Sequence, residues 1–271
     1  MKKFLAIMLV FILLVSVVAC KKDGDSTNDG DDAAATTVAE KNIYQEKDSA
    51  DKFEYAVNAE GDYDIVSFKT ADSKHKVTIP SEIDGIPVTG IADEAFKSTW
   101  QLTEIVIPNT VKYIGDAAFF DCKYLTTVTM PDSIIKVGAA SFEGCISLAN
   151  LTLSKSLVEI GDGAFFGCTS LESVVITDSV VTIGEGAFQE CSKLSSVTLS
   201  ASVKEIKAGA FQDCLALDSI EIPSTVETLG KFIFTTPLAG NEDFKIIAKA
   251  DSVAAEYAQA NGYALEVPAA E

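Results

Sequence analysis

Five cysteines, at positions 122, 145, 168, 191 and 214, are separated by a constant 23 residues. Thiols at fixed spacing could build a metal site or a set of disulfides. If each interval is one coil of a stacked fold, their Cα atoms form a row of four steps of ~4.8 Å, about 19 Å long. Tetrahedral zinc needs four sulfurs converging at ~2.3 Å on one point, which a row does not offer. Neighbouring Cα atoms ~4.8 Å apart lie within disulfide range, but ladder side chains point in parallel and five is an odd number. The row therefore reads as a buried ladder of small thiols, each packed under its own turn. Carboxylates are the other candidates. Asp162 and Glu185, and likewise Glu190 and Asp213, hold equivalent places on successive intervals, at the ~5 Å carboxyl separation of a retaining glycosidase. Both pairs fall on turns with no aromatic platform for a sugar, and repetition alone brings like residues together. The single histidine, His75, sits in the polar run Asp72-Ser73-Lys74-His75-Lys76 and reads as an exposed loop residue, with nothing to make a nucleophilic triad. The expectation is a non-enzyme with no catalytic residue, no metal and no cofactor.

A period positions these residues. Phenylalanine recurs on the same beat, at 96, 119, 142, 165, 188, 211 and 234, and a fixed interval of this size is the signature of a solenoid. In register, 102–124 reads LTEIVIPNTVKYIGDAAFFDCKY, and five further coils follow to 239. The inward positions of the first coil are Leu102, Ile105, Ile107, Val111, Ile114, Ala118, Phe119 and Cys122. Ile105 and Ile107 alternate around Val106, which marks a short strand. Gly115 follows Ile114 and lets the chain bend, a place repeated by Gly138, Gly161, Gly184 and Gly230. Lys207 takes that place in the fifth coil, an unexplained departure. One coil alone buries too little apolar surface to offset its ordering entropy, so the coils must stack.

Composition excludes one class of partner. The chain has 21 basic side chains, all lysine, and a formal net charge of −19. Without arginine there is no bidentate fork for phosphates or guanine edges, and so acidic a surface repels nucleic acid. Nucleic acid is not a partner.

The first residues stand apart from the fold. Lys2 and Lys3 precede an apolar run from Phe4 to Ala19, shorter than the ~20 residues that span a bilayer but suited to a signal-peptide core. The run ends Val17-Val18-Ala19-Cys20, which resembles the lipobox of bacterial lipoproteins. That resemblance implies that Cys20 is alkylated with diacylglycerol and becomes the new N-terminus, anchoring the protein in a membrane of the bacterial envelope. Residues 1–19 are then the signal peptide and 20–45 the lipidated cysteine and an acidic, flexible tether. Asp25-Ser26-Thr27-Asn28-Asp29-Gly30 opens like an EF-hand loop, but Thr36 stands where glutamate is needed, and the segment reads as tether. Residues 46–101 form an N-terminal cap and partial first coil, with a hairpin signal at Asp84-Gly85. Residues 102–239 are the six coils and 240–271 a C-terminal cap, with a short helix expected from Ser252 to Ala260, ended by Gly262.

Repeats of the form LxxIxIPxxVxxIGxxAFxxCxx, running over about 77–239, resemble the BspA-like leucine-rich repeats of bacterial surface proteins. Asp64 to Val88 is similar to the opening cap of that family, and Phe244 to Leu265 to its closing cap. The resemblance implies a right-handed leucine-rich-repeat solenoid of short parallel β-strands, turns and short helical segments. It also implies an extracytoplasmic, surface-exposed location and a binding or adhesion role without a common ligand.

Binding surfaces come from outward columns. Glu104, Thr127, Asn150, Ser173, Ser196 and Ser219 form one, and Val106, Thr129, Thr152, Val175, Thr198 and Glu221 a second. Together they make a hydroxyl-rich strip suited to a polypeptide or glycan. A sharper candidate is Ile135, Val158 and Val181, consecutive outward positions with Lys112 before them and Lys204 and Glu227 after. Phe120 and Phe166 add exposed aromatic surface two coils apart. Contiguous exposed apolar residues mark interaction sites, unless these tuck against the edge of the next coil. The function expected is a lipid-anchored surface protein that binds another macromolecule, in adhesion. The alternatives are a scaffold lipoprotein of the envelope and a glycan- or peptide-capture partner of a transporter or hydrolase complex.

Overall fold

The computed structural model describes residues 52–69, 75–235 and 243–268, all within one compact unit, Tyr44–Glu271. The expected signal peptide, Cys20, the acidic tether and the run at 25–30 lie outside the described residues.

The cap begins with an antiparallel hairpin of β1 (Phe53–Val57) and β2 (Tyr63–Phe68). β3 (His75–Thr78) follows, then β4 (Glu82–Ile83) and β5 (Ile86–Ile91), antiparallel to one another. The β4–β5 turn is Asp84-Gly85, with φ of 52° and 80°, the pair of left-handed residues that a two-residue hairpin demands. Val77 pairs with Ile105, 28 residues on, whereas Ile91 pairs with Ile114, 23 residues on. The β4–β5 hairpin is thus an insertion in an otherwise regular opening coil. His75 opens β3 and pairs with Leu102, rather than lying in a loop. An edge strand of four residues needs only one inward apolar side chain, here Val77, so its polar neighbours gave no strand signal.

Each of the six coils contributes a first strand: β6 (Leu102–Val106), β8 (Thr127–Thr129), β10 (Asn150–Thr152), β12 (Ser173–Val175), β14 (Ser196–Thr198) and β16 (Ser219–Glu221). Each also contributes a two-residue second strand: β7 (Tyr113–Ile114), β9 (Lys136–Val137), β11 (Glu159–Ile160), β13 (Thr182–Ile183), β15 (Glu205–Ile206) and β17 (Thr228–Leu229). Equivalent residues pair in parallel one period apart, as Ile105 does with Val128 and Ile114 with Val137. The second strands run as an unbroken ladder from β5 to β17. The ladder of first strands is interrupted between β10 and β12 and again between β14 and β16.

All eight inward positions of the first coil are buried. The phenylalanine rings stack with centroids 4.9 to 6.1 Å apart and planes within 12° of parallel, inside the favourable range for aromatic pairs. Phe53 and Phe68 extend the column into the N-terminal cap, and Phe244 continues it into the C-terminal one. There β18 (Lys245–Ile247), α1 (Val253–Asn261) and β19 (Ala264–Glu266) close the core, with Tyr257 and Tyr263 edge-on to Phe234. Ser252 caps α1 by accepting the Ala255 N–H, and Gly262 ends it at φ 76°, as the sequence predicts.

The helical part of the fold is confined to the C-terminal cap, α1 being the one α-helix among the described residues. In the first coil two left-handed residues, Ala117 (φ 52°) just before the AFxxC segment and Asp121 (φ 58°) within it, lie four apart, and later coils repeat them. Left-handed residues so close together interrupt any helix. The glycines after the second strand also have a different role from the bend expected of them. A Cβ on Gly161 would meet the carbonyl carbon of Gly138 at 2.6 Å, and one on Gly184 that of Gly161 at 2.6 Å. Backbone packs directly on backbone there. Lys207 keeps the register, its N–H donating to Ile183 O at 2.9 Å, and sends its ammonium back to Glu159 and Asp162, each at 3.5 Å.

Candidate functional site

The cysteine ladder is buried and its thiols are free. Each S–H donates to a phenylalanine carbonyl on the preceding coil: Cys122 to Phe96, Cys145 to Phe119, Cys168 to Phe142, Cys191 to Phe165 and Cys214 to Phe188, at 3.1–3.3 Å. The side-chain bond thus ties one coil to the next. Burial pushes the Cys122 and Cys191 thiols up to about 12 and holds Cys145, Cys168 and Cys214 well above the usual thiol range. A thiol kept protonated is neither a nucleophile nor a metal ligand. Among the described residues no three His, Cys, Asp or Glu side chains are grouped to hold a metal ion.

The carboxylate pairs also serve the stack. Asp162 Oδ1 accepts the backbone N–H of Glu185 at 2.7 Å, just as Asp93 accepts that of Asp116 and Asp116 that of Ala139. Asp213 is engaged with Thr235, whose hydroxyl donates to Oδ1 at 3.2 Å and accepts the Asp213 N–H at 2.6 Å. Sequence spacing found the adjacency of Asp162 and Glu185 but not the intercoil bond that uses it.

On the first-strand face, Thr129, Thr152 and Thr198 are exposed, with Val175 and Glu221 in the same file. The two ladder interruptions fall within this strip, between Thr152 and Val175 and between Thr198 and Glu221. At its N-terminal end a groove of about 260 Å³ is lined by Glu104, Val106, Asn109, Thr127, Thr129 and Pro131. It is smaller than the ~300–1,000 Å³ usual for a small-molecule site, and Glu104 is already held by Lys76.

The apolar row is the stronger feature. Ile135, Val158 and Val181 are 53%, 52% and 39% exposed, so they stand clear of the neighbouring coils. Their backbones are in register, Val158 N–H donating to Ile135 O and Val181 N–H to Val158 O. Lys112 bounds one end and the Lys204–Glu227 ion pair (3.1 Å) the other. Phe120 and Phe166 do not add to it as expected. Both are half-buried, and Phe120 has the Lys97 ammonium 5.6 Å from its ring centroid. Half-buried Glu143 holds the equivalent place on the coil between them, its carboxyl raised first by burial and then by the charge of Glu190.

Sequence reasoning missed what flanks the row. On the turn side, three residues before each apolar position, stand exposed Asp132, Lys155 and Asp178. On the strand side, one residue after, stand exposed Lys136 and Glu159 and half-buried Thr182. Their constant offset of four residues was the signal available.

The BspA-type leucine-rich-repeat region, six copies of it, matches residues 89–192 and 158–241. No curated protein matches the sequence. Among solved structures, a T. pallidum leucine-rich-repeat protein is 30% identical, covers 83% of this chain and 100% of its own, and superimposes with a TM-score of 0.63. A leucine-rich cell surface protein from Faecalibacterium prausnitzii is 30% identical over 76% of this chain and 54% of its own, with a TM-score of 0.66. A leucine-rich-repeat protein from Bacteroides ovatus is 28% identical over 75% of this chain and 55% of its own, with a TM-score of 0.64. The chain thus spans the whole of the first of these and about half the length of the other two.

Proposed function

The chain belongs to the BspA-type leucine-rich-repeat family, and from that premise we propose that it is a lipid-anchored, non-enzymatic cell-surface protein that holds another macromolecule against its apolar row. The observation that carries this reading is the row itself. Three aliphatic side chains on consecutive coils stand exposed while the rest of their coils' aliphatic positions are largely sequestered, and charged residues bound the row at both ends. Buried apolar centres with polar rims are the usual anatomy of a protein interface. The interrupted hydroxyl strip with Thr129, Thr152 and Thr198 is the lesser surface. A cell-surface relative in F. prausnitzii supports the location. The sequence Val17-Val18-Ala19-Cys20 supports the anchor, since a diacylglyceryl group brings two acyl chains at once and one alone binds membranes only marginally. No helix among the described residues is long and apolar enough to cross a membrane.

The test is protease shaving of intact cells, with mass spectrometry of the released peptides, joined to an adhesion assay. Peptides from 102–239 released without lysis support surface display. Peptides that appear only after lysis place the chain inside the envelope and favour the scaffold or transport-partner alternatives. Cys20→Ala is expected to release the protein from membranes, and Val158→Asp to lower adhesion while folding survives. Wild-type retention of the first removes the anchor, and wild-type adhesion of the second removes the row.

A further inference from the structure

Resting on the reading of the row as a docking surface, we propose that the macromolecule it receives is a second copy of this chain, lying side by side and pointing the same way. The argument is the pattern of charge on the two flanks. Along the turn side the signs run Asp132, Lys155, Asp178, and along the strand side Lys136, Glu159, Thr182. They alternate along the solenoid and are opposite across the row within a coil: Asp132 against Lys136, Lys155 against Glu159. A two-fold axis parallel to the solenoid axis lays the turn side of one copy over the strand side of the other, coil for coil. Each of Ile135, Val158 and Val181 then meets its own counterpart. Asp132 faces the Lys136 of the second copy, Lys155 faces its Glu159, and Asp178 faces its Thr182, whose hydroxyl can donate to a carboxylate. Every relation is reciprocal, as an isologous interface requires.

The same pattern rejects the other simple arrangement. If one copy is turned end over end about Val158, like flanks face each other in reverse order. Lys155 then meets Lys155, Glu159 meets Glu159, and Asp132 meets Asp178. Like charges set against each other disfavour a docking mode strongly. A foreign partner of one net charge would be served by flanks of a single sign, and alternation gains it nothing. Within the chain, Asp132 is 3.6 Å from Lys155, and Glu159 is 3.5 Å from Lys207. Exposed pairs of this kind contribute little and re-pair readily. Beyond the row, Lys112 would meet its own counterpart, which bounds the contact to the three central coils.

The experiment is disulfide trapping on the full chain in its membranes, with Ile135→Cys as reporter and dimer read by non-reducing electrophoresis. The five ladder thiols are buried and do not compete. Ile135→Cys alone is expected to cross-link. Adding Lys155→Glu, or adding Glu159→Lys, should cut the dimer yield several-fold. Adding both restores opposite signs at unchanged net charge and should recover it. If Ile135→Cys cross-links only when mixed with Val181→Cys, the copies are antiparallel and the proposal is overturned. If the double swap fails to rescue, charge pairing is not what orients them, and the proposal is overturned as well. Should Ile135→Cys stay monomeric while Val158→Asp still lowers adhesion, the second copy is wrong and the docking row stands. If neither measurement responds, both readings fall.

Discussion

Two serines inside the solenoid should respond to the same substitution with opposite signs. Ser141 and Ser154 are both 0% exposed. The Ser141 hydroxyl has no hydrogen-bond partner, and the equivalent place in other coils is held by Ala118, Ala164, Ala187 and Ala210, all fully buried. Ser141→Ala therefore removes an unsatisfied polar group from a site that already accommodates a methyl. A buried unpaired hydroxyl costs ~1–3 kcal/mol, and an empty volume of one oxygen offsets part of that. The expected gain is about 1 kcal/mol, or ~2–4 °C in Tm for a domain of this size. Ser154 is the opposite case, since its hydroxyl donates to Ile134 O at 2.6 Å and accepts the Ser156 N–H at 3.0 Å. Ser154→Ala strands both partners and should cost ~1–3 kcal/mol. Urea titrations followed by circular dichroism read the two midpoints, with an unchanged slope showing that the same surface unfolds. If both variants shift the same way, burial alone governs these sites and the bonding argument is refuted.

Phe165→Ala, at the centre of the aromatic column with neighbouring rings 5.3 and 5.2 Å away, should cost about 3–5 kcal/mol, and an unchanged denaturation midpoint would show the column is not what holds the stack. Gly161→Ala drives a Cβ to 2.6 Å from both the carbonyl carbon and oxygen of Gly138, so ~1–3 kcal/mol of overpacking is expected in the same titration. The ladder thiols should resist a thiol reagent at pH 8 until denaturant is added. Their raised pKa also fixes the sign of a pH effect. Unfolded thiols ionise from near pH 9 while the buried ones, at about 12 for Cys122 and Cys191, stay protonated. The unfolded state thus binds fewer protons in that window, and stability, complete below pH 9, should decline between 9 and 12. A flat profile there would contradict the burial of the ladder.

Much of this fold was legible because repetition amplifies weak signals. A single Phe-x-x-Cys says little, but five on one beat fix the coil length, the inward face and the cysteine row together. The C-terminal helix was legible from local chemistry, Ser252 and Gly262 being its two caps. Departures from the period were not. His75 begins a short strand that carries one buried aliphatic side chain, Val77, and the opening hairpin lengthens its coil against the period. Lys207 reads as an error in the glycine column until its contacts with Glu159 and Asp162 are seen. The row was legible as an outward column, but its exposure depended on how neighbouring coils pack, which the sequence left open. Phe120 and Phe166 shared that uncertainty and fell the other way.

The bonds joining one coil to the next are nearly interchangeable along the stack: a second-strand pair, a phenylalanine on a phenylalanine, a thiol on a carbonyl. A coil taken from the middle would leave two surfaces that already match, and a coil added there would find its contacts waiting on either side. Coil number is therefore a setting rather than a requirement. By duplication or loss of 23 codons the chain can be lengthened or shortened in steps of ~4.8 Å, while the caps that seal its ends stay unchanged. Such a protein is a ruler that evolution can recut.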